Sequence, residues 1–75
     1  MKTYRHDATI VSLEDVRKVE IYKGNQYSKK GHIFTRCFLK ITYKNDKIEE
    51  IYLWDNMSEK DIDTYLNKIQ EILEK

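Results

Sequence analysis

Only one stretch of this chain carries apolar residues at helical spacing, and it lies at the end. From Ser58 onward, Ile62, Tyr65, Leu66, Ile69, Ile72 and Leu73 form a single stripe, with Lys60, Asp63, Asn67, Lys68, Glu71 and Glu74 opposite. Ser58 followed by Asp61 supplies a start signal. The hydroxyl can accept from an unpaired backbone N–H, and a carboxylate suits the positive end of the helix dipole. Met57 and Ile62 then fall at the positions of a hydrophobic staple. The pattern predicts an amphipathic helix over 58–74. One apolar stripe can shield one side of one sheet, and that limit governs everything upstream.

Upstream the period is two. Ile33, Thr35, Cys37, Leu39, Ile41 and Tyr43 share one face of a strand, while Phe34, Arg36, Phe38, Lys40 and Thr42 share the other. A turn is expected at 44–47, where Asn45 and Asp46 tolerate positive φ, and a return strand from Ile48 to Trp54. A two-residue turn pairs Leu39 with Tyr52 and Cys37 with Trp54. A three-residue turn pairs Ile41 with Ile51 and Leu39 with Leu53, and it is preferred because it gathers the aliphatics under the helix. Val16 to Lys23 reads as a strand with Val19 and Ile21 inward, and Tyr4 to Val11 as another. Both glycines lie between Lys23 and His32, so 24–31 reads as a loop. The expected fold is α+β: a four-stranded antiparallel meander with one C-terminal amphipathic helix on one face.

The 75 residues suffice for one domain, 1–75, with a core that is marginal by itself. Cys37 is the only cysteine, which excludes an intrachain disulfide. His6, His32 and Cys37 show no ligand spacing, so no metal or other cofactor is expected. The first residues lack the apolar core of a signal peptide and no long apolar run follows, so the expected location is the cytoplasm, without membrane contact. Six tyrosines, abundant Lys and Ile and no proline fit an AT-rich bacterial or phage genome. The net charge of +1 hides a polarity. Residues 1–47 hold eleven Lys/Arg against five Asp/Glu, and residues 48–75 three against eight.

No constellation supports catalysis. Cys37 points into the core by alternation, where a thiol is inert. Glu49 and Glu50 are adjacent on a strand and face opposite ways, and Asp61 and Asp63 do not meet on a helix. An enzyme is not expected. Two groups of residues remain. The first is the stretch 23–32, with Lys23, Tyr27, Lys29, Lys30 and His32 as candidate phosphate contacts. The second is the outward strand face of Phe34, Arg36, Phe38 and Lys40, with either Tyr52 and Trp54 or, in the other register, Ile51 and Leu53 beside it. Alternating aromatic and basic side chains can stack bases and track phosphates. They also form an apolar patch large for a monomer, which calls for a cover. The leading expectation is therefore a non-enzymatic protein–protein interaction module. It would use the Phe34/Phe38 face or an exposed strand edge, with a homodimer as one form. Nucleic-acid binding through the basic half is the alternative.

Overall fold

The computed structural model describes residues 2–74 and contains five strands and one helix. Strands β1 (Thr3–His6) and β2 (Thr9–Ser12) form a two-stranded antiparallel sheet. Strands β3 (Val16–Lys29), β4 (His32–Tyr43) and β5 (Ile48–Asp55) form a second antiparallel sheet in that order, followed by helix α1 (Glu59–Leu73). The α+β class is as expected; a single four-stranded meander is not what forms.

The difference arises at Asp7. With φ at 53°, it makes a two-residue turn with Ala8 and splits the expected Tyr4–Val11 strand into a hairpin, pairing His6 with Thr9 and Tyr4 with Val11. Aspartate tolerates this left-handed backbone better than most residues. Asp15, at φ 56°, turns the chain again before β3.

The expected loop at 24–31 is strand as far as Lys29. β3 and β4 continue as one long hairpin to a two-residue turn at Lys30-Gly31, where both residues have positive φ (51° and 79°). That backbone matches the right-handed twist of the flanking strands. Gly24 has another use. A Cβ there would sit 2.6 Å from Cε2 of Phe38, so the glycine admits the ring, next to a register shift between Lys23 and Gln26. A glycine inside a strand marks a bulge or a close approach as readily as a loop.

At the β4–β5 turn, Lys44, Asn45 and Asp46 form a three-residue loop. Tyr43 N–H donates to Lys47 O at 2.8 Å, and Asp46 takes φ 69°. Leu39 therefore faces Ile51, not Tyr52 or Leu53, and Ile41 faces Glu49. This lies two residues from the preferred register. A shift of two keeps every side chain on its face, so Ile51 and Leu53 still join Leu39 and Ile41 inside.

The helix lies on that inner face. Ser58 Oγ accepts from Asp61 N–H at 3.1 Å and Ser58 N–H donates to the Asp61 carboxylate at 3.2 Å, closing the capping box. Tyr65 and Ile69 are buried, with Ile62, Ile72 and Leu73 around them, and Met57 is buried at the entry. The β1–β2 hairpin packs on the same side: Tyr4, Val11 and Leu13 share one core with Cys37, Leu39, Ile41 and Ile69. Tyr4 meets Tyr65 edge-to-face at 5.8 Å. Lys2 Nζ donates to Leu73 O at 2.6 Å, satisfying a carbonyl at the helix end. Both covering elements thus serve one side of the three-stranded sheet.

Candidate interaction face

Strand pairing arranges the other side in rows. Since residues directly opposite share a face, Lys18, Thr42 and Ile48 form one row, and Glu20, Lys40 and Glu50 the next. Tyr22, Phe38 and Tyr52 follow, then Arg36 with Asp55, Tyr27 with Phe34, and finally Lys29 with His32. The aromatic rings lie against one another. Tyr22 stacks on Phe38 (5.5 Å, 22°), Phe38 leans on Tyr52 (5.8 Å), and Tyr27 stacks on Phe34 (5.3 Å, 26°). Mutual shielding leaves Phe34, Phe38, Tyr22 and Tyr27 half-buried, while Tyr52 is 46% exposed.

A bulge in β5 sets the centre of this face. Between the pairs Phe38–Tyr52 and Arg36–Asp55, Leu53 and Trp54 together oppose Cys37 alone. Leu53 is buried in the core and the Trp54 ring sits edge-on to Tyr65 of the helix at 5.5 Å. Trp54 therefore belongs to the helix side, at its rim, and not to the outward face expected from strict alternation. The extra residue also turns Asp55 outward. There its carboxylate accepts from Tyr27 Oη at 2.6 Å and Tyr52 Oη at 2.7 Å.

The Arg36 guanidinium lies 4.7 Å above the Tyr27 ring centroid and 6.0 Å from that of Tyr52, so it sits between the two tyrosines that hold Asp55. The hydrogen bonds from Tyr27 and Tyr52, with the nearby Arg36 charge, hold the Asp55 carboxyl below its ordinary value. Donating to that anion raises the Tyr27 and Tyr52 phenols, and Tyr22 is raised in the same way by its 2.7 Å bond to Glu50. Lys40 faces Glu20 at 3.9 Å, so the face alternates sign within itself.

The basic candidates do not converge. Lys23 pairs with Cys37 and so lies on the helix side, Lys30 occupies the turn, and only Tyr27, Lys29 and His32 share the outward face. The hydroxyl of Tyr27 is already engaged by Asp55. Tyr22, Glu20, Glu50 and Asp55 were not among the sequence candidates. Alternation from Val19 and Ile21 places Glu20 and Tyr22 outward, so that signal was present. Nothing local announces the bulge that presents Asp55.

Elsewhere, a cavity of about 650 Å³ between β2 and the β4–β5 turn is lined by Ile10, Val11, Tyr43 and Glu49 among others. Tyr43 Oη there donates to Ser12 O at 2.6 Å, which ties the two sheets together. Cys37 is fully buried. Among the described residues, no group of three His, Cys, Asp or Glu side chains is placed to hold a metal, and no helix is long and apolar enough to cross a membrane. Comparison of the chain with protein-family models, with curated proteins and with solved structures gives no match.

Proposed function

We propose that this chain is a non-enzymatic protein–protein interaction module that docks through the outward face of the β3–β4–β5 sheet. One observation carries the reading. The helix and the β1–β2 hairpin both pack on the inner side, and five aromatic rings (Tyr22, Tyr27, Phe34, Phe38 and Tyr52) stand on the other, covered by one another, by Arg36 and by His32, with no second layer among the described residues. Aromatic side chains and arginine are the residue types that dominate protein interfaces, because each buries a large area at small entropic cost. Here they are pre-positioned by stacking and by the Asp55 bonds, so little ordering remains to oppose binding.

The nucleic-acid alternative has less support on this face. Glu20, Glu50 and Asp55 stand among the cations, where they would oppose phosphates, and Tyr27 and Tyr52 are tied to Asp55. The test is photo-crosslinking in cells of the source, with a benzophenone side chain placed at Phe34 and, as control, at Asp63 on the solvent side of α1. The expected result is a protein adduct from position 34 and none from 63. A nucleic-acid adduct, or no adduct from position 34, would overturn the reading.

A further inference from the structure

We infer that the partner enters by strand addition: an extended, cationic segment of another protein pairs antiparallel with the open edge of β5 along Ile48–Tyr52. The inference rests on the docking reading above and states what kind of segment meets the sheet, and where.

The hydrogen-bond phase of β5 shows which backbone groups are open. Tyr43 N–H donates to Lys47 O at the turn. Counting back from there by twos, Ile41–Glu49 and Leu39–Ile51 are the pairs that exchange ladder bonds. Ile48, Glu50 and Tyr52 then turn their N–H and C=O groups away from β4, and among the described residues no strand pairs with that side. Ile48, Glu49, Glu50 and Tyr52 are all exposed. Edge strands are ordinarily blunted by lysine, proline or bulges. β3, the other edge of this sheet, follows that rule, with Lys18, Lys23 and Lys29 and two register shifts. β5 does not. It has no lysine or proline, and its bulge lies beyond Tyr52. Of the five large apolar side chains exposed among the described residues it holds three, Ile48, Tyr52 and Trp54, so apolar exposure concentrates on the one unprotected edge.

The rows that cross the sheet state the chemistry of the added strand. Glu20, Lys40 and Glu50 alternate in sign and stop at a carboxylate, so a cation continues that row. The Tyr22–Phe38–Tyr52 row is continued by another ring, and the row ending at Ile48 by an aliphatic side chain. Glu49, on the other side of β5, borders the cavity of about 650 Å³ beside β2, which leaves room for a second long cationic side chain. Neither Glu49 nor Glu50 has an ion-pair partner among the described residues. A second copy's β5 does not meet these terms. That strand carries Glu49, Glu50 and Asp55 and no cation, so pairing it with itself sets carboxylates against a strand unable to neutralise them.

The probe is an end-blocked synthetic peptide whose core reads tyrosine, valine, lysine, lysine, isoleucine, flanked by threonines. Laid antiparallel, its first lysine opposes Glu50 and its second Glu49. It is titrated into the full, isotope-labelled chain and followed by amide NMR shifts. Saturable binding is expected on the order of tens to hundreds of micromolar, the strength of so short a contact, with the largest shifts at Ile48–Tyr52. Methylating the backbone nitrogen of the first lysine, whose N–H points at β5, should weaken binding about tenfold or more. Methylating that of valine, whose N–H points away, should change it less than about twofold. Glu50→Lys should weaken binding about tenfold, and a peptide with glutamate in place of the first lysine should restore it to within about threefold. Far-UV circular dichroism checks that the variant is folded, and the methylated peptides test the pairing on the unaltered chain. No saturation by about 1 mM, or equal binding of the two methylated peptides, would overturn the inference. So would a wild type that dimerises on concentration with the same shifts at Ile48–Tyr52, which would put a second copy on the edge. If the peptide fails while the crosslinker at position 34 captures a protein, strand addition falls and the docking reading stands. If the peptide fails and position 34 yields no protein adduct, both fall.

Discussion

Gly24 offers a sharp test of how the outward face is assembled, because two effects of opposite sign meet there. Its φ is not in the left-handed region, so alanine can adopt the backbone, and Gly24→Ala should gain about 0.4–1 kcal/mol by restricting the unfolded chain. Against this, the new Cβ would lie 2.6 Å from Cε2 and 3.0 Å from Cδ2 of Phe38. Ordinary carbon contacts lie at about 3.5–4.0 Å, so the ring must move by about 1 Å. That ring is held between Tyr22 and Tyr52, and displacing it weakens two aromatic pairs worth about 0.5–1.5 kcal/mol each. Overpacking of this kind typically costs about 1–3 kcal/mol, so the clash wins and the net destabilisation is about 1–2 kcal/mol. In a Phe38→Ala background the obstacle is gone, and the same Gly24→Ala change should stabilise by about 0.4–1 kcal/mol. The coupling between the two sites is then about 1.5–3 kcal/mol, measurable by urea denaturation at dilute protein with Trp54 fluorescence as the signal. Gly24→Ala having the same effect in both backgrounds, within about 0.3 kcal/mol, would refute the claim that the glycine exists to admit the ring.

Three further outcomes are expected. Ile69→Ala removes a fully buried side chain from beneath the helix and should cost about 2–5 kcal/mol, a large share of the stability of a chain this short, read as a lowered thermal midpoint. Ser58→Ala opens the capping box and should cost about 1 kcal/mol, with the loss confined to the helix start in amide exchange. Asp55→Ala should lower the titration of Tyr27 and Tyr52 toward the ordinary phenol value and leave Tyr22 raised by Glu50, followed by tyrosinate absorbance; all three unchanged would contradict the geometry. The sign for stability follows from the same bonds. Because the Asp55 value is depressed, its contribution is present above the unfolded carboxylate value of about 3.9 and fades as pH falls through the lower folded one. Because the phenols are raised, theirs is present below about 10 and fades as pH rises through the higher folded values.

Local periodicity alone was enough to determine the helix, its capping box, the outward placement of Phe34, Arg36, Phe38 and Lys40, and the inward placement of Cys37, Leu39 and Ile41. These follow from a helix repeat of 3.6 and a strand repeat of two, which every residue in the element shares. Tertiary structure decided where that repeat is interrupted. At Asp7 a single left-handed residue makes two strands of one, and at Gly24 a residue that reads as a loop signal instead accommodates a ring from the neighbouring strand. At Leu53-Trp54 the chain takes one extra residue, with Leu53 buried in the core and Trp54 against Tyr65. That moves Trp54 off the candidate face and brings Asp55 onto it. A bulge is favoured by what its residues pack against, and those neighbours come from distant parts of the chain. The composition of the outward face was therefore half written in alternation, and the other half waited on contacts between β5 and the helix.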